Sequence, residues 1–272
     1  MVPPDAPAYS LIEANHRLAS RFYAYSGQAD LLPGALAIYC GTDSSAFNMA
    51  SLTPPAPHLP TVLNQLTVHY DRLRAGSSLW LCQQLAPQTD PALLFQFRYR
   101  FQQTAPGLLA GPFPAPRQAA PTELTVQPVQ QAHEAVAFAH LVSVIFQVAF
   151  PLCHRIYADP AAWRPPTYGW VAYRAGEPVG CAMVTAADGI AGFYSVGVLP
   201  AYQGRGYGET VMRHVARFAA TRLNCHQLVL QSTTAGRKLY HRLGFREFTT
   251  FTIYHRAYLA PEEQDNGNDF GV

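Results

Sequence analysis

Lysine is nearly absent from this sequence: of its 19 basic residues only Lys238 is lysine, and the rest are arginine. Charge of either sign is scarce, at 13% of 272 residues with a net charge of +2, against about 25% in a typical globular chain. So weak a field excludes the electrostatic attraction on which nucleic-acid and membrane-surface binding depend. The five cysteines, Cys40, Cys82, Cys153, Cys181 and Cys225, are scattered and form no C-x-x-C pair. That excludes a disulfide scaffold and fits reduced, buried thiols in a cytoplasmic protein. The arginine bias suits a high-GC bacterial source. No charged and apolar leader opens the chain, so no signal peptide is expected.

Long apolar runs are also missing. The strongest, residues 135–151 (AVAFAHLVSVIFQVAFP), contains His140 and Gln147 and is shorter than the ~20 residues that span a bilayer. A buried helix is expected there, and no membrane contact. Several catalytic signatures are absent. There is no H-E-x-x-H, and Cys153-His154 stands alone, so no metal is expected. No G-x-S-x-G occurs, which removes the serine hydrolases. Lys238 follows Arg237 rather than glycine, which removes the P-loop. The dinucleotide fingerprint fails at Glu209 or Val211, depending on the glycine from which it is counted.

What is present is enough apolar material for a full core, 49% of the chain. Periodicity predicts helices over 11–25 and 58–74, strands over 35–40, 46–52 and 78–83, and a helix opened by Asp90-Pro91. Phe95, Phe97, Tyr99 and Phe101 alternate as a strand or helix end and are expected in the core. Residues 104–121 hold five prolines, too many for a regular helix or interior strand. The main domain boundary is therefore placed there, giving domains 1–120 and 121–260. The remainder, 261–272, has four carboxylates and no base and is expected to be a mobile acidic tail. The second domain is predicted as strand 122–129, helix 131–150, strands 169–174, 179–186 and 189–198, helix 206–223, strand 227–231, helix 234–243 and strand 248–255. Both halves share this coarse order, which suggests a diverged repeat. The apolar helix 131–150 also offers a face for an interface between the halves or for a homodimer.

The chemistry concentrates in Ser195–Glu209, SVGVLPAYQGRGYGE. An apolar strand ends at Val198-Leu199-Pro200, and Gly204, Gly206 and Gly208 alternate before a helix. Glycines permit left-handed backbone and close approach. Consecutive N–H groups at a helix start bind anions, and Arg205 adds a charge suited to phosphate. The expectation is a pyrophosphate cradle.

Gln-Gly-Arg-Gly-Tyr-Gly at 203–208 is a case of Q/R-x-x-G-x-G/A. With the strand before it, the strand near Leu228–Gln231 and the AGRKLYHRLGF segment at 235–245, it resembles the GNAT superfamily of acyl-CoA N-acyltransferases. The resemblance covers 122–258 and implies an α+β, three-layer fold, with a mixed, mostly antiparallel sheet flanked by helices. It implies acetyl-CoA, or another acyl-CoA, as co-substrate and a small-molecule or peptide amine as acceptor. Residue by residue, Val196, Gly197 and Val198 match the strand end that pairs with the pantetheine arm. Gln203, Gly204, Arg205, Gly206, Tyr207 and Gly208 match the pyrophosphate loop. Thr233 stands where many members carry Asn, and Tyr240 matches the tyrosine that protonates the leaving thiolate. Gly192–Val198 contains none of the strand carboxylates that many members use as base. Asp188, Tyr194 with ordered water, and the C-terminal carboxylate remain as candidates. A catalytically inactive CoA-binding regulatory or scaffolding protein is the alternative. Phe47-Asn48 and its neighbouring strands resemble the non-catalytic GNAT-like half of two-part members, smaller and expected to wall the acceptor pocket.

Overall fold

The computed structural model describes residues 6–55, 58–117 and 119–260. In chain order they form α1 (Ala8–Ser20), β1 (Gln28–Leu32), β2 (Ala35–Tyr39), β3 (Met49–Leu52), α2 (Leu59–Arg72), β4 (Ser77–Cys82), α3 (Pro91–Gln96) and β5 (Arg100–Ala110). Then come β6 (Leu124–Pro128), α4 (Ala132–Phe146), α5 (Phe150–Tyr157), β7 (Thr167–Arg174), β8 (Glu177–Ala187) and β9 (Ile190–Val198). The chain continues through α6 (Tyr207–Arg222), β10 (Gln227–Gln231), α7 (Arg237–Arg242) and β11 (Arg246–Arg256).

The chain divides into two compact units, but not at residue 120. One takes the residues up to Phe22 together with Pro106–Thr249, and the other takes Tyr23–Ala105 together with the residues from Thr250 on. The reason is that strands are exchanged. Gly107–Ala110 of β5 pair antiparallel with β10 in the first unit, while Phe251–Arg256 of β11 pair antiparallel with β4 in the second. The proline-rich stretch is therefore not a plain linker. Pro106 lies inside β5, where the strand passes from one unit to the other, and its carbonyl accepts from the Ser232 amide at 2.9 Å. The predicted acidic tail, 261–272, lies outside the described residues.

In the first unit β10 pairs with β5 and β9, and β8, β7 and β6 follow outward. Only β9 and β10 are parallel, because α6 carries the chain back between them. Side chains of β9 alternate between two faces. Ala191, Phe193 and Val198 join the core made by Val211, Met212 and Val215 of α6 with Tyr240, Leu243 and Phe245. Gly192 and Gly197 meet the opposite face, where Asn15 of α1 and Ile145 of α4 come close. An aromatic cluster of Phe22, Phe138, Tyr157 and Trp163, with centroids 4.6–6.1 Å apart, closes that face.

The apolar run forms two helices rather than one over 131–150. Gln147 turns left-handed and ends α4, and Pro151 sits in the first turn of α5. Proline inside a continuous helix would lack its N–H and clash with the preceding turn. No helix among the described residues is long and apolar enough to cross a membrane.

The second unit repeats the same motif in smaller form, with a hairpin of β2 and β3, helix α2 and a parallel strand β4. Asp90 caps α3 by accepting from the Ala92 amide at 2.8 Å, as its Asp-Pro pair predicts. Buried Asn48 accepts from the Cys40 amide at 2.8 Å and donates to the carbonyls of Thr42 and Gly76 at 2.9 and 3.0 Å. The alternating aromatics are only partly core: Tyr99 is buried, but Phe95 and Phe101 are exposed at 60% and 63%. Phe95 belongs to α3, and the Arg100 guanidinium covers its ring at 3.7 Å.

The exchanged strand β11 brings fully buried Arg256 to Asp71 of α2 at 2.5 Å, and Arg98 reaches the same carboxylate at 3.1 Å. Removing Arg256 takes away a charge-assisted hydrogen bond, while Asp71 keeps Arg98 and stays partly exposed. Arg256→Ala is expected to destabilise the protein by about 1.5–3 kcal/mol in urea unfolding. An unchanged midpoint would show that this pair does not anchor β11.

Candidate active site

Two parallel strands that part from each other make the site. The β9–β10 ladder runs from Ile190–Gln227 to Phe193–Leu230 and stops. β9 continues five residues further, to Val198, and pairs there only with β8. A bulge marks the departure: Ser195 takes φ +47°, and the β8–β9 register shifts between Cys181 and Met183. An extra residue on one strand bends it and raises its local twist, which turns the end of β9 away from β10. Residues 194–197 are consequently half-buried although they lie in a central strand. At the end of β10, one residue past the last rung to β9, the buried side-chain nitrogen of Gln231 has no hydrogen-bond partner among the described residues.

A short turn over Pro200–Tyr202 carries β9 into the glycine loop. Gly204 and Gly206 both have positive φ, +76° and +80°, a region that costs L-residues strain. Gly206 is the N-cap of α6, and no side chain caps that helix start. The first N–H groups of α6 thus stay open to an outside acceptor, and the helix dipole favours an anion there. A Cβ at Gly204 would meet nothing within 4 Å, and one at Gly206 only the edge of Pro121 at 3.8 Å. Arg205 lies exposed between these two glycines. Its guanidinium and that of Arg174 each stand about 6 Å from the Tyr202 ring. The Glu123 carboxyl is held below the usual carboxylate range by its own backbone amide, the Tyr207 hydroxyl and these two arginines.

Helix α7, which follows β10, carries Tyr240, a buried member of the core shared with Val198 and Phe193. Its ring lies over the backbone one turn earlier, since a Cβ at Gly236 would stand 2.5 Å from a ring carbon. Burial raises its phenol from 10 to about 12, so it stays protonated throughout the neutral range and is fit to give a proton to a basic leaving group.

The family profile described as an acetyltransferase (GNAT) domain matches residues 165–247. This chain carries a GNAT acetyltransferase domain. A GCN5-related N-acetyltransferase from Kribbella flavida superposes with a TM-score of 0.68 at 18% identity, over 90% of this chain and 95% of that one. One from Sphaerobacter thermophilus gives 0.56 at 19%, over 96% and 95%. A tandem GNAT protein from the clavulanic acid biosynthesis pathway gives 0.51 at 12%, over 78% and 76%. At such identities these likenesses speak for the fold. No match was found among curated proteins.

Within this GNAT domain the residues singled out from sequence play unequal parts. Val196, Gly197 and Val198 do lie on the part of β9 that has left β10. Gly204, Arg205, Gly206 and Gly208 do form the loop and first turn at α6. Gln203 spends its side-chain nitrogen on the Val198 carbonyl at 3.0 Å, which ties the loop to the strand end. Tyr207 is buried, with its hydroxyl donating to Glu123 at 2.8 Å, so its side chain is turned into the fold at the first position of α6. The Thr233 hydroxyl accepts from the Gly236 amide at 3.3 Å and shapes the turn into α7. Of the base candidates, Asp188 sits in the β8–β9 turn, at the other end of β9 from the gap. The C-terminal carboxylate lies outside the described residues. Tyr194 follows the last β9–β10 rung, but its hydroxyl turns back over Gly192 and donates to the Asn15 side-chain oxygen at 2.7 Å. Sequence reasoning missed Gly236, although its spacing four residues before Tyr240 was a signal. It also missed Ser195, Arg174 and Gln231, for which no local pattern exists. Among the described residues no group of His, Cys, Asp and Glu is arranged to hold a metal ion.

The Tyr240 shift has a testable sign. Its folded value lies above the unfolded one, so its contribution is whole below pH 10 and is lost as pH rises from 10 through 12. That rise corresponds to about 3 kcal/mol. In urea unfolding, Tyr240→Phe is expected to lose less stability than wild type between pH 8 and pH 11. Equal losses would show that the ring's burial is not what shifts the phenol.

Proposed function

We propose that this chain transfers an acetyl, or another short acyl group, from acyl-CoA to a primary amine by direct attack, with no acyl-enzyme. The observation that carries this reading is the uncapped α6 N-terminus with its two left-handed glycines, set directly after a strand that has parted from its neighbour. The residues suit the co-substrate. The open N–H groups at 204–208 and the Arg205 and Arg174 charges match a pyrophosphate, and the exposed edge of β9 at 196–198 matches an amide-bearing arm laid down as an extra strand. The orphaned Gln231 nitrogen supplies a further donor beside that arm. The co-substrate itself supplies an activated acyl carbon and a thiolate leaving group. In the transfer, the amine nitrogen bonds to the acyl carbon and the carbon–sulfur bond breaks. Tyr240 gives its proton to the sulfur, and the proton lost from the amine returns to Tyr240 through water. The products are an amide and a free thiol. The five cysteines, all buried, support a reducing, cytoplasmic setting.

Titration calorimetry with acetyl-CoA tests the cradle. Wild type is expected to bind, and Gly206→Glu, which sets a carboxylate among the phosphate donors, to lose binding. Retained binding in the variant would move the site elsewhere. Tyr240→Phe is expected to lower kcat by about 10²–10⁴-fold with acetyl-CoA affinity intact; an unchanged kcat removes its acid role. The absence of any carboxylate on β9 supports the second reading, a CoA-binding protein without turnover. Acetyl-CoA binding with no thiol release across a primary-amine panel would decide for it.

A further inference from the structure

We propose that Glu123 limits the affinity of the cradle for the phosphate end of acyl-CoA: its carboxylate is fixed beside the α6 start and opposes the incoming anion. This assignment rests on the acyltransfer reading above. Glu123 stands just ahead of β6 and two residues after Pro121, whose ring edge is what a Cβ on Gly206 would meet at 3.8 Å. The chain therefore passes the N-cap of α6 immediately before it reaches Glu123. The Glu123 carboxyl accepts from the Tyr207 hydroxyl at 2.8 Å. Tyr207 is the first residue of α6, and a helical side chain leans back toward the N-terminus of its own helix. The carboxylate is thus tied to the end of α6 whose N–H groups no side chain caps.

What holds Glu123, and what it does not hold, decides the sign of its effect. The Tyr202 ring stacks on that of Tyr207 at 6.5 Å, and the Arg174 and Arg205 guanidinium groups stand 5.9 and 5.8 Å from the Tyr202 ring. Both cations act on Glu123 through space. Among the described residues, however, neither forms an ion pair or a hydrogen bond with it, and the buried Nε of Arg174 has no partner at all. Glu123 therefore does not aim the arginines. A carboxylate that aimed them would help an anion to bind; one that only shares their field offsets it.

The oxygen and the charge of Glu123 thus have separate consequences. The oxygen meets the hydroxyl of buried Tyr207 and anchors the first turn of α6 beside the start of β6. The charge faces whatever anion the helix start and the arginines attract. Acetyl-CoA and the CoA product carry the same phosphates, so the carboxylate weakens both alike. That is uniform binding, which moves KM and product inhibition and leaves the acyl-transfer step untouched. Like other charges at the rim of a binding surface, it acts through a salt-dependent field.

The test is titration calorimetry of acetyl-CoA and of CoA against wild type, Glu123→Gln and Glu123→Asp. The glutamine amide oxygen can still accept from Tyr207, so that variant removes the charge and keeps the bond. The shorter aspartate keeps the charge and loses the bond. Glu123→Gln is expected to bind both ligands about three- to tenfold more tightly at about 0.02 M salt. The gain should shrink to less than about twofold at about 0.5 M salt, where exposed charges are screened. Glu123→Asp should stay within about twofold of wild type, and S-acetylpantetheine, which carries no phosphate, should show no gain in Glu123→Gln. Unchanged or weaker acetyl-CoA binding in Glu123→Gln would overturn the assignment. So would an equal gain in Glu123→Asp, or an equal gain with S-acetylpantetheine. If wild type does not bind acetyl-CoA, the reading on which the assignment rests fails first, and the assignment falls with it.

Discussion

The parting of β9 from β10 is the constraint on which the rest of the first unit depends. Parallel strands joined by a helix ordinarily stay paired along their common length, because each unmet backbone group in a sheet interior is costly. Here the ladder ends after Phe193 and Leu230, and β9 runs on with one side open. The bulge at Ser195 turns it away, with the Ser195 hydroxyl near Tyr157 and the Ser195 carbonyl accepting from the Cys181 thiol. A site with unmet backbone groups of this kind is stable only if the surrounding structure is strong. The core of α6, α7 and the inner strands supplies that strength on one face, and the aromatic cluster around Trp163 supplies it on the other.

The same parting explains why the residues beyond it are so small. Gly204 and Gly206 adopt backbone that other residues resist, Gly197 lies under Ile145, and Gly236 lies under Tyr240. Each glycine lets another group, of the protein or of a ligand, approach the main chain. The second unit shows the contrast. Its parallel pair, β3 and β4, is also joined by a helix, but the segment entering α2 carries Pro54, Pro55 and Pro60 where the first unit has glycines. Proline has no N–H to offer an anion. The second unit keeps the motif without glycines of that kind ahead of its helix.

Strand exchange joins sequence-distant segments in both units. β11 completes the sheet of the second unit and carries Arg256 to Asp71, while α1 and the end of β5 belong to the first. Asn15 meets Tyr194 across 179 residues of sequence. A cut at the proline-rich stretch would therefore remove from each unit an element it needs, which is why composition alone misplaces the boundary.

How much was legible in the sequence follows from the range over which each feature is determined. Q-G-R-G-Y-G before an amphipathic stripe specifies a left-handed loop and an anion-binding helix start, because φ preference and the 3.6-residue period are local properties. The boundaries of β10, the Asp90 cap and the apolar face of α6 were accessible for the same reason. The exposure of Phe95 and Phe101, the break of the apolar helix at Gln147 and the exchange of β5 and β11 were not. They depend on which surfaces meet after collapse, and alternation or hydropathy has no term for that. The clearest case is Gly192: in the sequence it is a strand position lacking an acid, and only the packing of α1 against β9 places the Asn15 amide and the Tyr194 phenol in the space it leaves.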